Sequence, residues 1–186
     1  YGFVLLGFLV MLLVWRDGVG YWAIALGYGL VGAGVGFAGT PASHSLTNSV
    51  PVTRAGLASG TADLQRDLGG AIMPSLLGLL LTAGYARSFA AQIAASSEAT
   101  KVTENVQAML VRSLASAENI AKKYPEYADA IEKAARESFL VGQDWAYIAG
   151  VIAVVLGAAL VFFVFPKRER ESELFTKYQL EDRVGE

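Results

Sequence analysis

The chain has 186 residues, of which 54% are hydrophobic and only 17% are charged, and its formal net charge is −2. Because soluble domains average about 25% charged residues, this composition argues against an ordinary soluble domain. The small net charge and the lack of a basic stripe exclude a nucleic-acid partner, and the absence of cysteine excludes disulfides, thiol catalysis and cysteine metal sites.

Four apolar stretches without charge predict four membrane-spanning helices. Residues 1–15 are shorter than the roughly 20 residues that a span needs. We interpret this stretch as a truncated helix, because Tyr1 already lies inside an apolar run. The other helices are predicted at 21–48, at 54–85, where the uncharged run is 68–85, and at 145–166. Aromatic side chains, which prefer the headgroup level of a bilayer, mark the ends of these spans: Trp15, Tyr21, Trp22, Tyr85 and Trp145. A buried helical bundle of a soluble protein is the disfavoured alternative.

The helix at 21–48 is rich in glycine. Gly32 and Gly36 form a GxxxG pair, and small residues at this spacing let a neighbouring membrane helix approach closely. The pair indicates either helix packing alone or a flexible helix beside a transport cavity. Pro41 removes a backbone hydrogen bond and is expected to bend the helix near its end.

His44 is the only histidine and follows this glycine-rich run. We interpret it as an interfacial residue. Titration near neutral pH would suit a proton relay, but no carboxylate lies close in sequence. A metal site is not expected, because one histidine brings no partner ligands.

The segment 54–85 begins polar and becomes apolar after residue 67, as at the edge of a bilayer. Its polar half is a foot on the membrane surface that carries the charged and amide side chains Asp63, Gln65, Arg66 and Asp67. Arg66 is expected to pair with Asp63 at i+3. Two interpretations stay open, a self-neutralised cluster that anchors the helix at the surface and a gate whose ion pairs change partners. In the apolar half, Pro74 is expected to kink the span.

Residues 86–143 are too long for a turn and too polar to span. Apolar residues at helical spacing predict an amphipathic helix over 100–123, with Tyr124-Pro125 breaking it, and a second helix that leads into the last span. This helical hairpin caps one face of the protein or lies at the interface, or it acts as a lid. The tail 167–186 is of mixed charge, and the basic residues that follow the last span place it in the cytoplasm.

Several motifs together carry a resemblance to a known family. The run Gly32-x-Gly34-x-Gly36-x4-Pro41, the later Gly56-x-Ala58-Ser59-Gly60 and Arg66-x2-Gly69-Gly70 resemble the late part of major facilitator transporters. More narrowly, the chain looks like the last four spans of the fourteen-span drug:proton antiporters of the QacA/EmrB kind. The stretch 64–73 is especially similar to their actinobacterial, EfpA-type members. Two features depart from the pattern: no arginine stands in the span at 21–48, and Pro74 replaces a small or polar residue.

The resemblance implies an all-α membrane protein, the C-terminal four transmembrane helices of a major facilitator fold plus an external helical hairpin, in the plasma membrane. It implies export of amphipathic or lipophilic compounds, coupled to protons through residues in the remaining N-terminal part of the same transporter. The expected partners are membrane lipids, the substrate and protons, with no cofactor, no metal and no enzymatic activity. Four apolar side chains are candidates to line the substrate cavity: Phe37, Met73, Leu76 and Leu77. A lipid flippase of the same fold and a non-transporting membrane scaffold are the alternatives.

Overall fold

The computed structural model of the protein describes residues 1–48, 50, 54–97 and 99–164. Within these ranges the chain forms helices and no strand. In chain order, the helices are α1 (Gly2–Val14), α2 (Tyr21–Asn48), α3 (Ala55–Ala95), α4 (Glu104–Leu110), α5 (Leu114–Lys123) and α6 (Ala128–Val164). Single 3₁₀ turns lie at Ala99–Lys101 and Pro125–Tyr127.

Three of these helices, α2, α3 and α6, are long and apolar enough to cross a membrane. The all-α membrane class predicted from the sequence is therefore confirmed at that level. Helix α1 has 13 residues, about 20 Å at 1.5 Å per residue, which is less than the roughly 30 Å of a hydrocarbon core.

Helices α3 and α6 are much longer than a bilayer is thick. They have 41 and 37 residues, or about 60 Å and 55 Å. Helix α3 does not end near Tyr85, where the predicted span ends, but continues to Ala95. Helix α6 likewise begins at Ala128, well before the apolar stretch at 145–164. Both helices therefore project beyond the membrane-crossing length, and they do so at the same end of the molecule.

The projecting parts of α3 and α6, together with α4 and α5, form a small folded unit at residues 85–144, which we call the helical cap. Apolar residues of all four helices build its core: Tyr85, Phe89, Leu110, Ala117, Ile120 and Ala135, with Val102, Val106 and Leu114 packed against them. Most of the apolar positions predicted to share one face of a helix do enter this core. Met109, on the predicted helix over 100–123, is 45% exposed, and Ala130, on the predicted helix that leads into the last span, is exposed as well.

The cap contains two helices where the sequence pattern predicts one over 100–123. Helix α4 ends at Leu110, and Ser113 then adopts an extended backbone with φ −170° and ψ 159°. The Ser113 hydroxyl accepts a hydrogen bond from the Ser116 backbone N–H at 3.2 Å. Because serine is a favoured N-cap residue that satisfies a free backbone donor, it starts α5 as a new helix.

Tyr85 was expected to contact the headgroup level of the membrane, but the structure buries its side chain inside the protein. The side chain is only 2% exposed, and its hydroxyl donates a hydrogen bond to the Leu110 carbonyl at 2.8 Å. The reason is the continuation of α3 into the cap, which turns the expected end of a span into the interior of a helix.

Helix α3 packs mainly against α6, and α1 packs against both α2 and α6, whereas contact between α2 and α3 is slight. The four apolar helices therefore follow each other in the spatial order α2, α1, α6, α3. Residues 165–166, the end of the last predicted span, and the tail 167–186 lie outside the described residues. So do residues 49 and 51–53, before α3, and the side chain of His44.

Candidate functional site

The four candidate cavity residues occupy different surroundings. The Phe37 ring stacks on Phe3 of α1, with centroids 5.7 Å apart, and its side chain is nevertheless 71% exposed. On α3, Met73 and Leu77 are half-buried and Leu76 is 45% exposed. Since α2 and α3 touch only slightly, the described chain does not bring Phe37 and the α3 residues together into one closed pocket.

The foot of α3 has the predicted ion pair. An Arg66 guanidinium nitrogen lies 3.1 Å from an Asp63 carboxylate oxygen, and the side chains are 70% and 61% exposed. Gln65 and Asp67 are exposed on the same stretch of helix. An exposed i,i+3 pair of this kind joins residues of one helix and contributes only about 0.3–0.5 kcal/mol. Within the described residues it links no second element.

Within the described residues, the close helix contacts of α2 are made at other glycines than the predicted GxxxG pair. A Cβ added at Gly32 or Gly36 would meet no described atom within 4 Å. A Cβ at Gly27 would instead lie 3.0 Å from the Met11 side chain, and one at Gly34 would lie 2.9 Å from the Val4 backbone nitrogen. The packing face of α2 is therefore the one that carries Gly27 and Gly34, whereas the face with Gly32 and Gly36 is open.

Two prolines lie inside continuous helices. Pro41 is within α2 and Pro74 is within α3. Proline has no backbone N–H, so it cannot donate a hydrogen bond to the carbonyl four residues earlier in the helix. That carbonyl therefore lacks its helical partner. Both helices continue through these sites.

The closest crossing of α3 and α6 lies where the two helices enter the cap. A Cβ at Gly84 would lie 2.8 Å from the Gly142 Cα, and one at Gly142 would collide with the Leu81 carbonyl and lie 2.9 Å from the Tyr85 nitrogen. No larger residue fits at either position without moving the backbone. Beyond the crossing, the Gln92 side-chain amide of α3 donates a hydrogen bond to the hydroxyl of the fully buried Ser138 of α6 at 3.0 Å. A satisfied polar contact therefore also joins the two helices.

A second Asp–Arg pair lies at the same end of the molecule as the cap. Nη1 of Arg16, in the turn between α1 and α2, is 3.0 Å and 2.9 Å from the two carboxylate oxygens of Asp144 on α6. The side chains are 51% and 28% exposed. Unlike the pair in the foot, this one connects two elements that are 128 residues apart in the chain.

Aromatic rings lie beside this ion pair. The Trp15 indole N–H donates to the Ala23 carbonyl at 3.1 Å, which ties the end of α1 to the start of α2. Its ring meets the edges of Tyr28 at 5.3 Å and of Tyr147 at 5.8 Å. Phe8 approaches Tyr147 at 6.3 Å. Edge-to-face pairs at these separations are favourable, so the rings connect the α1–α2 hairpin to α6.

A cavity of about 390 Å³ opens between the α1–α2 turn and the cap part of α6. We call it the polar groove. Its lining is mostly charged and consists of Asp17, Asp129, Glu132, Lys133, Arg136, Glu137 and Leu140. Only Asp17 comes from the hairpin, and the other lining residues come from α6. The groove ends one helical turn before Asp144, next to the Arg16 contact.

The sequence prediction did not identify the Arg16–Asp144 pair, yet a signal for it is present. Arg16 follows Trp15, and Asp144 precedes Trp145. Since alternating spans put both residues on the same side, opposite charges next to interfacial tryptophans lie at the same depth. The glycines of the α3–α6 crossing carry a weaker signal, because glycine is frequent throughout this chain.

No group of three or more metal-ligating side chains occurs among the residues that the structure describes. Comparisons with protein-family models, with curated proteins and with solved structures found no match to this chain.

Proposed function

We propose that this chain is the C-terminal membrane part of a proton-coupled multidrug efflux transporter of the major facilitator type, which exports amphipathic or lipophilic compounds by alternating access. One observation carries the proposal. From Asp63 to Ile72, every residue of α3 is exposed, although this segment joins a charged foot to an apolar span. Such a surface suits a helix that takes its partners from a larger bundle, from lipid and from a substrate cavity.

The apolar side chains on the exposed surface of α3 suit a hydrophobic substrate that is recognised with low specificity. Met73, Leu76 and Leu77 lie along α3, and methionine in particular adapts its shape to irregular partners. The open glycine face of α2, with Gly32 and Gly36, allows a further helix to approach closely. Pro74 leaves a backbone carbonyl of α3 without its helical partner. Membrane helices tolerate such a carbonyl where a neighbouring helix or a water molecule donates a hydrogen bond to it, often beside a cavity.

In this proposal the protein resides in the plasma membrane, with the foot of α3 and the tail 167–186 in the cytoplasm and the cap outside. Protons would be handled by residues of the N-terminal part of the transporter, and the cytoplasmic Asp63–Arg66 cluster would serve as an anchor or a gate. The chain itself has no enzymatic role and needs no cofactor.

A lipid flippase of the same fold is the second candidate. Phe162 and Phe163 near the end of α6 are each 81% exposed and are suited to contact with lipid tails, as a protein that moves amphiphiles between leaflets requires. A membrane scaffold without transport activity is the third, since open glycine faces also suit assembly.

Reconstitution of the complete transporter distinguishes these candidates. We expect dye efflux from proteoliposomes that depends on an imposed pH gradient, together with little movement of a labelled lipid. Lipid movement without gradient-dependent efflux would replace the drug-export proposal with the flippase. If neither activity occurred in vesicles that contain folded protein, the scaffold would be favoured.

A further inference from the structure

The described chain divides into two helical parts, and the contact between them is less extensive than the packing within each part. Helices α1 and α2 form one hairpin, held by the close approaches at Gly7, Gly27 and Gly34 and by the Trp15–Ala23 hydrogen bond. Helices α3 and α6 with the cap form the other part, held by the Gly84–Gly142 crossing and the cap core.

The contact between the two parts runs along α1 and α6. It contains the rings of Trp15 and Phe8 against Tyr147, and Phe8 against Gly150. These edge-to-face ring contacts are favourable but contain no hydrogen bond. At the groove end of this contact, Arg16 and Asp144 supply a directional contact with two hydrogen-bond distances of 2.9 Å and 3.0 Å.

We propose that Arg16 and Asp144 form a latch that holds the α1–α2 hairpin against α6 and must break before the polar groove can widen. The position of the groove supports this inference. Asp17, beside Arg16, forms its hairpin wall, and Leu140, one turn before Asp144, lies on its α6 wall. Any movement of the hairpin away from α6 at this end separates the two walls and the two latch residues together.

The strength of the pair suits a device that opens and closes. The side chains are 51% and 28% exposed, and ion pairs in contact with water contribute about 0.2–1 kcal/mol. Breaking the latch is therefore expected to raise the ratio of molecules with an open groove to molecules with a closed groove by about 1.4-fold to fivefold. This fold-change corresponds to that free energy at RT ≈ 0.59 kcal/mol. A much stronger pair would keep the groove shut.

Spin labels on the two walls provide the test. The chain has no cysteine, so Asp17→Cys and Glu137→Cys add two labelling sites to it, and both native side chains line the groove. In the complete protein in nanodiscs, we expect Arg16→Gln and Asp144→Asn to increase the long-distance population to a similar extent. The double variant should add little more, because either single change already removes the pair.

The charge swap Arg16→Asp with Asp144→Arg is the decisive variant, and it should restore much of the short-distance population. Arg112→Gln, an exposed arginine in the cap, is the matched control and should leave the distances unchanged. Equal distance distributions for all variants would overturn the latch. A swap that opens the groove as far as the single variants do would also overturn it, since the effect would then not arise from pairing.

This inference rests on the proposed function in one respect only, because transport gives the reason why the α1–α2 hairpin should move. The distance measurement involves no transport, so its failure is separate from a failure of gradient-dependent dye efflux. A reducible bifunctional thiol cross-linker that joins Arg16→Cys to Asp144→Cys tests the link between the latch and transport, because two cysteines at the ends of an arginine–aspartate pair are too far apart for a direct disulfide. In a transporter, this cross-link should block efflux until a reductant is added, and unchanged efflux by fully cross-linked protein would contradict a role of the latch in transport.

Discussion

The two ends of α3 belong to one helix but differ in how much of their surface the rest of the described chain covers. At the foot, Asp63 to Ile72 are all exposed, and the ion pair there stays within the helix. At the cap, Gly84, Tyr85 and Phe89 are buried. Side chains of α3 there donate hydrogen bonds to the Leu110 carbonyl of α4 and to the Ser138 hydroxyl of α6. The comparison indicates that the chain's own residues anchor α3 at the cap end, whereas they leave the surface from Asp63 to Ile72 uncovered.

The largest test of this comparison is a bulky residue at the helix crossing. Gly142→Leu places a side chain against the Leu81 carbonyl and the Tyr85 nitrogen, where only backbone movement can make room. We expect a loss of stability of about 1–3 kcal/mol or more, measured as a lower midpoint of thermal unfolding in detergent, with reduced yield of monodisperse protein.

Gly78→Leu is the matched control on the open part of α3, because a Cβ at Gly78 would meet no described atom within 4 Å. It should leave the midpoint nearly unchanged. An equal decrease of the midpoint in both variants would contradict the difference in packing between the two ends of α3. It would mean that a helix outside the described residues covers the surface at Gly78.

A smaller effect is expected from the buried polar contact in the cap. Ser138→Ala removes the hydroxyl bonded to Gln92 at 3.0 Å and leaves the amide with only its longer contact to the Ala134 carbonyl, at 3.4 Å. Because Gln92 is only partly buried, the loss should lie near the lower end of the about 1–3 kcal/mol that a buried polar group costs without a good partner. Thermal unfolding and hydrogen exchange of the α6 segment of the cap should both show the loss.

Ser75→Ala provides the comparison at an exposed position. The Ser75 hydroxyl donates to the Ala71 carbonyl of its own helix at 2.7 Å, so its removal leaves no buried group unpaired. We expect a change below about 0.5 kcal/mol. An equal loss for both serines would mean that the cap contact has no special role in fixing α3 to α6.

Much of this fold follows from local patterns in the sequence. Uncharged apolar runs predict the long helices, and helical spacing of residues such as Val106 and Ala117 predicts a cap with an apolar side. The limits of α3 do not follow from such patterns, because the charges after Tyr85 look like the end of a span. In the structure the helix continues, since cap residues far away in sequence bury it.

The site was predictable only where it lies within one helix. The Asp63–Arg66 pair follows from its i,i+3 spacing, whereas Arg16 and Asp144 meet only through the packing of α1 on α6. The same reason explains the glycines. Spacing identifies Gly32 and Gly36 as a possible packing pair, but the rotation of α2 about its axis decides that Gly27 and Gly34 face α1.

The smallest effect on stability is expected at the foot, where it separates the two interpretations of the charged cluster. Arg66→Ala removes an exposed intrahelical pair and should change the unfolding free energy by less than about 0.5 kcal/mol, with normal membrane insertion. A gate would nevertheless lose transport in this variant, because Arg66 would then exchange partners with another part of the transporter. We therefore expect dye efflux to fall much more than the amount of inserted protein.

Arg112→Ala, which removes an exposed arginine of the cap, controls for the loss of a surface charge. Normal efflux by Arg66→Ala would leave the cluster as a membrane-surface anchor, and the exposure of the foot would then reflect contact with water and headgroups instead of a missing partner.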